Sequence, residues 1–66
     1  MLSPGQQLKR LRENNLKTQE ELAEYLGLSP SSISRKEQDK VPISLEERKK
    51  ILAYFKVPKY KQADFF

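Results

Sequence analysis

The residues of this chain whose types best suit specific chemistry lie between positions 29 and 38. Serines occupy positions 29, 31, 32 and 34, and Arg35 follows the last of them. A serine hydroxyl both donates and accepts hydrogen bonds, and an arginine guanidinium donates two parallel bonds from a rigid fork. Serine is also a mediocre helix former, so the segment is predicted to present a small, polar surface to another molecule. The simpler alternative is that these serines are solvated residues that follow a helix cap.

The composition argues against catalysis. The 66 residues include no cysteine and no histidine, and no glycine-rich phosphate loop is present. Histidine is the commonest metal ligand and the commonest general base near neutral pH. A chain of this length buries only roughly 60% of the surface that its unfolded form exposes, which leaves little room for an enclosed cavity. We therefore expect a single domain, residues 1–66, that is not an enzyme and takes no metal, cofactor or small-molecule substrate.

The formal net charge of +4 is unevenly distributed. Residues 1–17 contain four basic residues and one acidic residue, whereas residues 18–34 contain three glutamates and no basic residue. Basic flanks of this kind suit a polyanionic partner, although lysine and arginine also simply solubilise helices. No apolar run approaches the roughly 20 residues that span a bilayer, and the first ten residues lack a hydrophobic secretion core. We expect a cytoplasmic protein without a membrane contact.

Helix start signals recur along the chain. A serine or threonine able to cap a helix occurs at Ser3, Thr18, Ser29 and Ser44. Three of these caps have a glutamine or glutamate three residues later, which completes a capping box, and Pro4 and Pro30 stand at favoured first helical positions. No segment alternates polar and apolar residues, so no strand is predicted. The fold class is all-α, a compact bundle of four to five helices with its core in residues 4–57 and a tail, 58–66, that forms a fifth helix or frays.

Stop signals and apolar spacing complete this prediction. The first helix is expected to end near Asn14–Asn15 and the second at Gly27, since asparagine and glycine tolerate left-handed backbone. The fourth helix is expected to stop before Val57–Pro58. Leu16 is expected to enter the core directly after the first helix. The predicted core consists of Leu8, Leu11, Leu16, Leu22, Ala23, Leu26, Ile33, Leu45, Ile51, Leu52, Phe55 and Val57.

The spacing of Ala23, Gly27 and Ile33 is the most informative pattern. A small residue at position 23 lets the third helix pack closely on the second, and glycine at position 27 permits a left-handed turn. Ile33 then anchors the third helix. This arrangement is typical of a helix-turn-helix, in which one helix braces and the next enters the major groove of DNA.

The residues around this pattern closely resemble the Cro and phage-repressor type of helix-turn-helix, a family that includes many small bacterial regulators. The similar stretches are LKRLRENNLKTQEELAEYLGLSPSSISRKEQ and ISLEERKKILAYFKV, which together cover roughly residues 8 to 57. The resemblance implies a lambda repressor-like domain that binds a palindromic DNA operator, commonly as a homodimer. It also implies a transcription regulator, which we interpret as a repressor.

The resemblance further implies roles for individual residues. Gln19 would bind a phosphate at the start of the second helix, and Ser31 and Arg35 would face base edges. Arg12 and Glu37 would form an ion pair that ties the first helix to the third. The whole set of DNA-binding residues predicted in this way is Gln19, Ser29, Ser31, Ser32, Ser34, Arg35, Gln38, Lys40 and Ser44.

Three residues depart from the family pattern. Lys36 stands where an apolar residue is usual, so we expect its stem to pack while its amine reaches solvent. Asp39 replaces a frequent loop glycine, so the turn must accept aspartate. Pro30 occupies a position that in some relatives reads a base, and because proline has no donor, direct readout is expected to be thin.

Other readings of the same residues remain open at this point. A protein-interaction module of the same fold, such as an antitoxin-like partner-binding protein, is the alternative to a DNA regulator, and steep salt dependence of DNA binding would separate the two. Tyr25, Tyr54 and Tyr60 are scattered, which favours a core edge or an interface over a surface that stacks bases. Phe65 and Phe66 are docked on the domain, buried in a dimer or followed by further chain.

Overall fold

Five α-helices account for the regular secondary structure of residues 2–65, which are the residues described by the computed structural model. These residues include no strand, so the predicted all-α class is confirmed. The tail forms a short fifth helix rather than a frayed end. The elements are α1 (Pro4–Asn14), α2 (Gln19–Leu26), α3 (Pro30–Glu37), α4 (Leu45–Tyr54) and α5 (Lys59–Gln62).

All four predicted caps are confirmed at the helix N-termini. The Ser3 hydroxyl accepts a hydrogen bond from the Gln6 N–H at 3.2 Å, and the Gln6 side chain accepts one from the Ser3 N–H at 2.9 Å. The same reciprocal box begins α2 and α4, while Ser29 caps α3 without a box. Each cap satisfies backbone donors that have no partner inside the helix. The boundaries therefore follow from local sequence.

The first four helices also share one kind of C-terminus. A residue with positive φ follows each of them: Leu16 at 56°, Gly27 at 70°, Asp39 at 60° and Lys56 at 54°. The N–H of the residue after it then donates to the carbonyl five positions earlier, for example Lys17 N–H to the Arg12 carbonyl at 3.1 Å. This closure is the Schellman motif, in which glycine is the usual left-handed residue. Only one of the four positions has glycine.

The prediction that Leu16 enters the core is wrong. Leu16 is 90% exposed. Asn15 keeps φ at −98°, and Leu16 takes the left-handed conformation that we expected of the asparagines. The Lys17 N–H that bonds to the Arg12 carbonyl closes α1 around this left-handed residue, and the Leu16 side chain lies in solvent.

The core otherwise lies on the predicted faces, with one exchange. Leu8, Leu22, Ile33 and Ile51 are fully buried, and Leu11, Leu26 and Phe55 pack against them. Leu45 is 68% exposed, so its placement in the core is wrong. Ile43, two residues earlier, is buried in its place. The reason is the cap: Ser44 caps α4 with an extended backbone, Ile43 before the cap is buried, and Leu45, the first helical residue, is exposed.

The N-terminus of α1 abuts the C-terminus of α3. A Cβ placed on Gly5 would lie 2.7 Å from the Glu37 carbonyl oxygen, closer than real Cβ atoms approach. Asp39 closes the junction, because one carboxylate oxygen accepts the Gly5 N–H at 2.9 Å and the other accepts the Ser3 hydroxyl. An anion at the N-terminus of α1 is also favoured by the helix dipole. The turn therefore accepts aspartate in place of glycine, since the carboxylate stabilises a contact between two helices.

The aromatic residues occupy different environments. The rings of Tyr25 and Tyr54 stack with centroids 4.2 Å apart, and Tyr54 packs against the core. Tyr54 thus lies at a core edge, as expected, whereas Tyr60 is largely exposed. Phe65 is half-buried and lines a cleft of about 240 Å³ with Leu2 and Leu11, which agrees with docking on the domain. Phe66 lies outside the described residues.

Candidate nucleic-acid interface

The third helix, α3, has one buried face and one exposed face. Ile33 is fully buried, and Lys36 and Glu37 beside it are buried as well. Ser31 and Arg35 are exposed, on the side of α3 away from Ile33. Since α3 contacts both α1 and α2, its inner face is fixed by two other helices. The predicted orientation of α3 is therefore confirmed, and the arginine fork points toward solvent.

The predicted ion pair between Arg12 and Glu37 is confirmed. Arg12 Nε donates to Glu37 Oε2 at 2.7 Å, and Arg12 Nη2 donates to Glu37 Oε1 at 3.2 Å. The two side chains are only 11% and 3% exposed. The hydrogen bond with Glu37 is the main cause that raises the pKa of Arg12. This fork-to-fork geometry holds α1 against the last turn of α3.

Gln19 joins the same cluster from the start of α2. Its Nε2 donates to Glu37 Oε1 at 3.0 Å, and the side chain is part-buried. An amide nitrogen carries two hydrogens, so this bond leaves a second donor on Gln19. Because Glu37 is itself fixed by Arg12, the amide of Gln19 is oriented before any ligand arrives. The side chain sits in the first turn of α2, where backbone N–H groups and the helix dipole also favour an anion.

The serines at the start of α3 form a connected group. The Ser29 hydroxyl lies 3.0 Å from that of Ser32 and 3.3 Å from that of Ser31. Ser34 accepts a bond from the Gln38 side chain at 2.8 Å. Ser32 and Ser34 are half-buried, whereas Ser31 is exposed. The capping alternative thus accounts for Ser29 and Ser32, and Ser31 is the serine best placed to meet a ligand.

The remaining members of the predicted set lie after α3. Gln38, Lys40 and Ser44 are all exposed. The Ser44 hydroxyl accepts the Glu47 N–H at 3.1 Å as the cap of α4, so its own hydrogen remains available to donate. Lys40 has no ion pair with any described acidic residue. Exposed donors are therefore also present in the segment that follows α3.

The prediction that the Lys36 amine reaches solvent is wrong. Lys36 Nζ lies 3.0 Å from Glu47 Oε1 and donates to the Pro42 carbonyl at 3.1 Å. Both partners are near the start of α4, so the buried ammonium ties α3 to α4. A buried charge needs a partner, and these oxygens supply it. No local spacing signals this pair, because its members are far apart in sequence and meet only in the fold.

Glu47 has a pKa lowered from its ordinary value. Burial alone would raise the pKa of this carboxyl, but hydrogen bonds from the Ser44 backbone and from Lys36 outweigh that effect. The carboxylate therefore acts twice, since it completes the capping box of α4 and pairs with the buried ammonium of Lys36.

Other kinds of site receive no support from the residues that the structure describes. Within residues 2–65, no group of three or more potential acidic, histidine or cysteine ligands is placed to hold a metal ion. No helix in that range has the length and apolarity needed to cross a membrane.

Comparison with known proteins agrees with this geometry. A family model described as helix-turn-helix matches residues 8–61, which is most of the chain. No curated protein matches the chain. The match spans all of α2 and α3, including the Gly27 turn between them. The chain therefore belongs to the Cro/C1-type helix-turn-helix family of DNA-binding transcription regulators.

Proposed function

We propose that the chain binds double-stranded DNA in a sequence-specific manner, by placing the exposed face of α3 in the major groove. Two copies would occupy the two halves of a palindromic operator and repress transcription. The observation that carries this proposal is the orientation of α3. Ile33 is fully buried, and Ser31 and Arg35 are exposed on the other side. A helix presented in this way fits the geometry of major-groove recognition.

Within this proposal Arg35 supplies most of the base discrimination. Its guanidinium can donate two parallel bonds to O6 and N7 of guanine, the commonest specific contact in the major groove. Ser31 lies about one turn away on the same face, and a hydroxyl bonds to almost any base. Because serine side chains are short, the backbone of α3 can approach the floor of the groove closely. Pro30 adds no donor, so readout rests on few groups.

Phosphate contacts position α3 without reading sequence. Gln19 would donate its second amide hydrogen to a phosphate at the start of α2, and Lys40 and Ser44 would contact the backbone beyond α3. The bond from Gln19 to Glu37 at 3.0 Å supports this assignment, because it holds the amide in one orientation. The Arg12–Glu37 pair acts through Gln19 and touches no DNA itself.

Selection of bound duplexes from a random pool tests the proposal. We expect an enriched palindromic motif, with a guanine in each half-site that becomes dispensable when Arg35 is changed to alanine. The spacing between half-sites should correspond to about one turn of duplex, 10 to 10.5 base pairs, since two copies would lie on one face of the DNA. A pool that shows no enrichment would contradict the proposal and favour a protein-interaction module of the same fold.

A further inference from the structure

The end of the chain carries a concentration of positive charge that lies outside the helix-turn-helix. After Glu47 the chain contains six basic residues and one acidic residue, Asp64. Lys56, Lys59 and Lys61 are exposed, and none of them pairs with a described acidic side chain. Lysines beside a helix C-terminus often complement its dipole, but three within six residues exceed what one short helix end requires.

An exposed tyrosine stands among these lysines. Tyr60 lies between Lys59 and Lys61 in the sequence and is 79% exposed. Lys61 Nζ lies 5.9 Å from the centroid of its ring, within the range of a cation–π contact. Tyr25 and Tyr54 differ from it, because their rings stack on each other. Tyr60 is therefore an exposed aromatic ring with the Lys61 ammonium over one of its faces.

We propose that Lys56, Lys59, Tyr60 and Lys61 form a surface that binds single-stranded nucleic acid. An unpaired base would stack on the Tyr60 ring, and the lysines would contact the phosphates on either side of that base. Proteins that bind single strands combine these two features, aromatic platforms and a cationic surface that follows the backbone. The four residues span five peptide units, at most about 18 Å, which matches a few nucleotides.

Charge distinguishes this partner from a second copy of the chain. In a symmetric contact centred on Tyr60, the same patch of each copy would face its equivalent. Lys59 and Lys61 would then approach the same lysines of the other copy, and Asp64 is the single acidic residue after Glu47 in the sequence. Duplex DNA is also a poorer partner, because its bases are stacked in the interior and leave the Tyr60 ring unused.

The test measures binding of the full chain to a labelled oligothymidylate and to an abasic strand of equal length. We expect the strand with bases to bind at least about fivefold more tightly, from one stacked base. Tyr60→Leu should remove that difference and leave binding to the abasic strand unchanged. Lys59→Gln combined with Lys61→Gln should weaken both strands and lower the salt slope by about 1.4, since each phosphate neutralised on a single strand contributes roughly 0.7.

A double variant on α1, Lys9→Gln with Arg10→Gln, is the matched control, because it removes the same charge from exposed positions elsewhere. This control should keep the advantage of the base-bearing strand. Equal binding of the two strands by the unmodified chain would overturn the proposal, as would an equal loss in the control. Sedimentation that shows Tyr60→Leu separating a dimer into monomers would overturn it too. No operator duplex enters these measurements, so their outcome is independent of the proposed role of α3.

Discussion

Arg12 on α1 and Glu37 on α3 meet in a two-bond ion pair, with Arg12 Nε 2.7 Å from Glu37 Oε2 and Arg12 Nη2 3.2 Å from Glu37 Oε1. A third nitrogen of the same guanidinium, Nη1, donates to the Lys17 carbonyl at 2.8 Å, in the turn between α1 and α2. Gln19 of α2 donates to the same carboxylate. One guanidinium and one carboxylate thus connect α1, α2 and α3, and this connection fixes α3 relative to the other two helices.

Removal of one member of this pair should destabilise the fold more than removal of both. Arg12→Met leaves the Glu37 carboxylate in a site that is 3% exposed, and breaking a buried pair in this way typically costs about 3–5 kcal/mol. The double variant Arg12→Met with Glu37→Leu leaves no unpaired charge, so we expect a smaller loss. Urea denaturation of the two single variants and the double variant measures the coupling. Losses that simply add would contradict the pair's role.

Leu16→Gly should stabilise the domain. Leu16 has φ of 56° and is 90% exposed, so the change loses almost no packing. A non-glycine residue in the left-handed conformation costs roughly 1–2 kcal/mol of stability, which glycine would avoid. The greater freedom of glycine in the unfolded chain lowers stability by about 0.4–1 kcal/mol, which offsets part of that gain. We expect a net gain of about 0.5–1 kcal/mol and a higher thermal midpoint in circular dichroism.

Gly27→Ala is the matched control, because it makes the opposite change at the equivalent position of α2. Gly27 has φ of 70°, and a Cβ there would meet no atom within 4 Å. Any loss therefore comes from backbone conformation alone, and we expect about 1 kcal/mol. If Leu16→Gly and Gly27→Ala shift stability in the same direction, helix closure does not determine the conformation at these positions.

These two positions show what local sequence could and could not predict. The caps and the Gly27 turn depend on residues within four positions of each other, and all were predicted. The prediction for Leu16 was wrong because its apolar character suggested burial, whereas the Schellman closure of α1 determined its backbone conformation. The bonds that Ser3 and Gly5 donate to Asp39, and the ion pair of Lys36 with Glu47, join distant parts of the chain. No periodicity encodes such contacts, so only the assembled fold reveals them.

Stability should fall below pH 4.5 in part because of Glu47. The pKa of Glu47 in the folded chain is lowered from 4.5 by its hydrogen bonds to Ser44 and Lys36. A carboxyl whose pKa is lower in the folded state contributes stability above its unfolded pKa, and that stability is lost as pH falls through the folded pKa. Glu47→Gln keeps the shape of the capping box but cannot ionise.

Thermal melts between pH 7 and pH 2.5 measure this contribution. We expect Glu47→Gln to be less stable than the unmodified chain at pH 7 and to approach it at low pH. Glu46→Gln is a suitable control, since Glu46 is an exposed residue of the same helix turn and forms only a loose pair with Lys50 at 4.0 Å. A constant difference at every pH would show that ionisation of Glu47 has no role.

The different DNA contacts proposed for Arg35, Lys40 and Gln19 predict different effects of three variants on affinity, sequence preference and salt dependence. Arg35→Ala removes the only guanidinium on the exposed face of α3, so it should cost roughly 1–3 kcal/mol on the best site and relax preference at one base pair per half-site. Lys40→Ala should weaken all sequences alike and lower the salt slope by about one unit, because a lysine on phosphate displaces a counterion. Gln19→Ala should also weaken binding to all sequences but leave the salt slope unchanged, since glutamine carries no charge.

Binding constants for cognate and scrambled duplexes across a salt series separate the three patterns. An equal loss on both duplexes for Arg35→Ala would place Arg35 on a phosphate, and discrimination would then come from the serines or from the shape of the DNA.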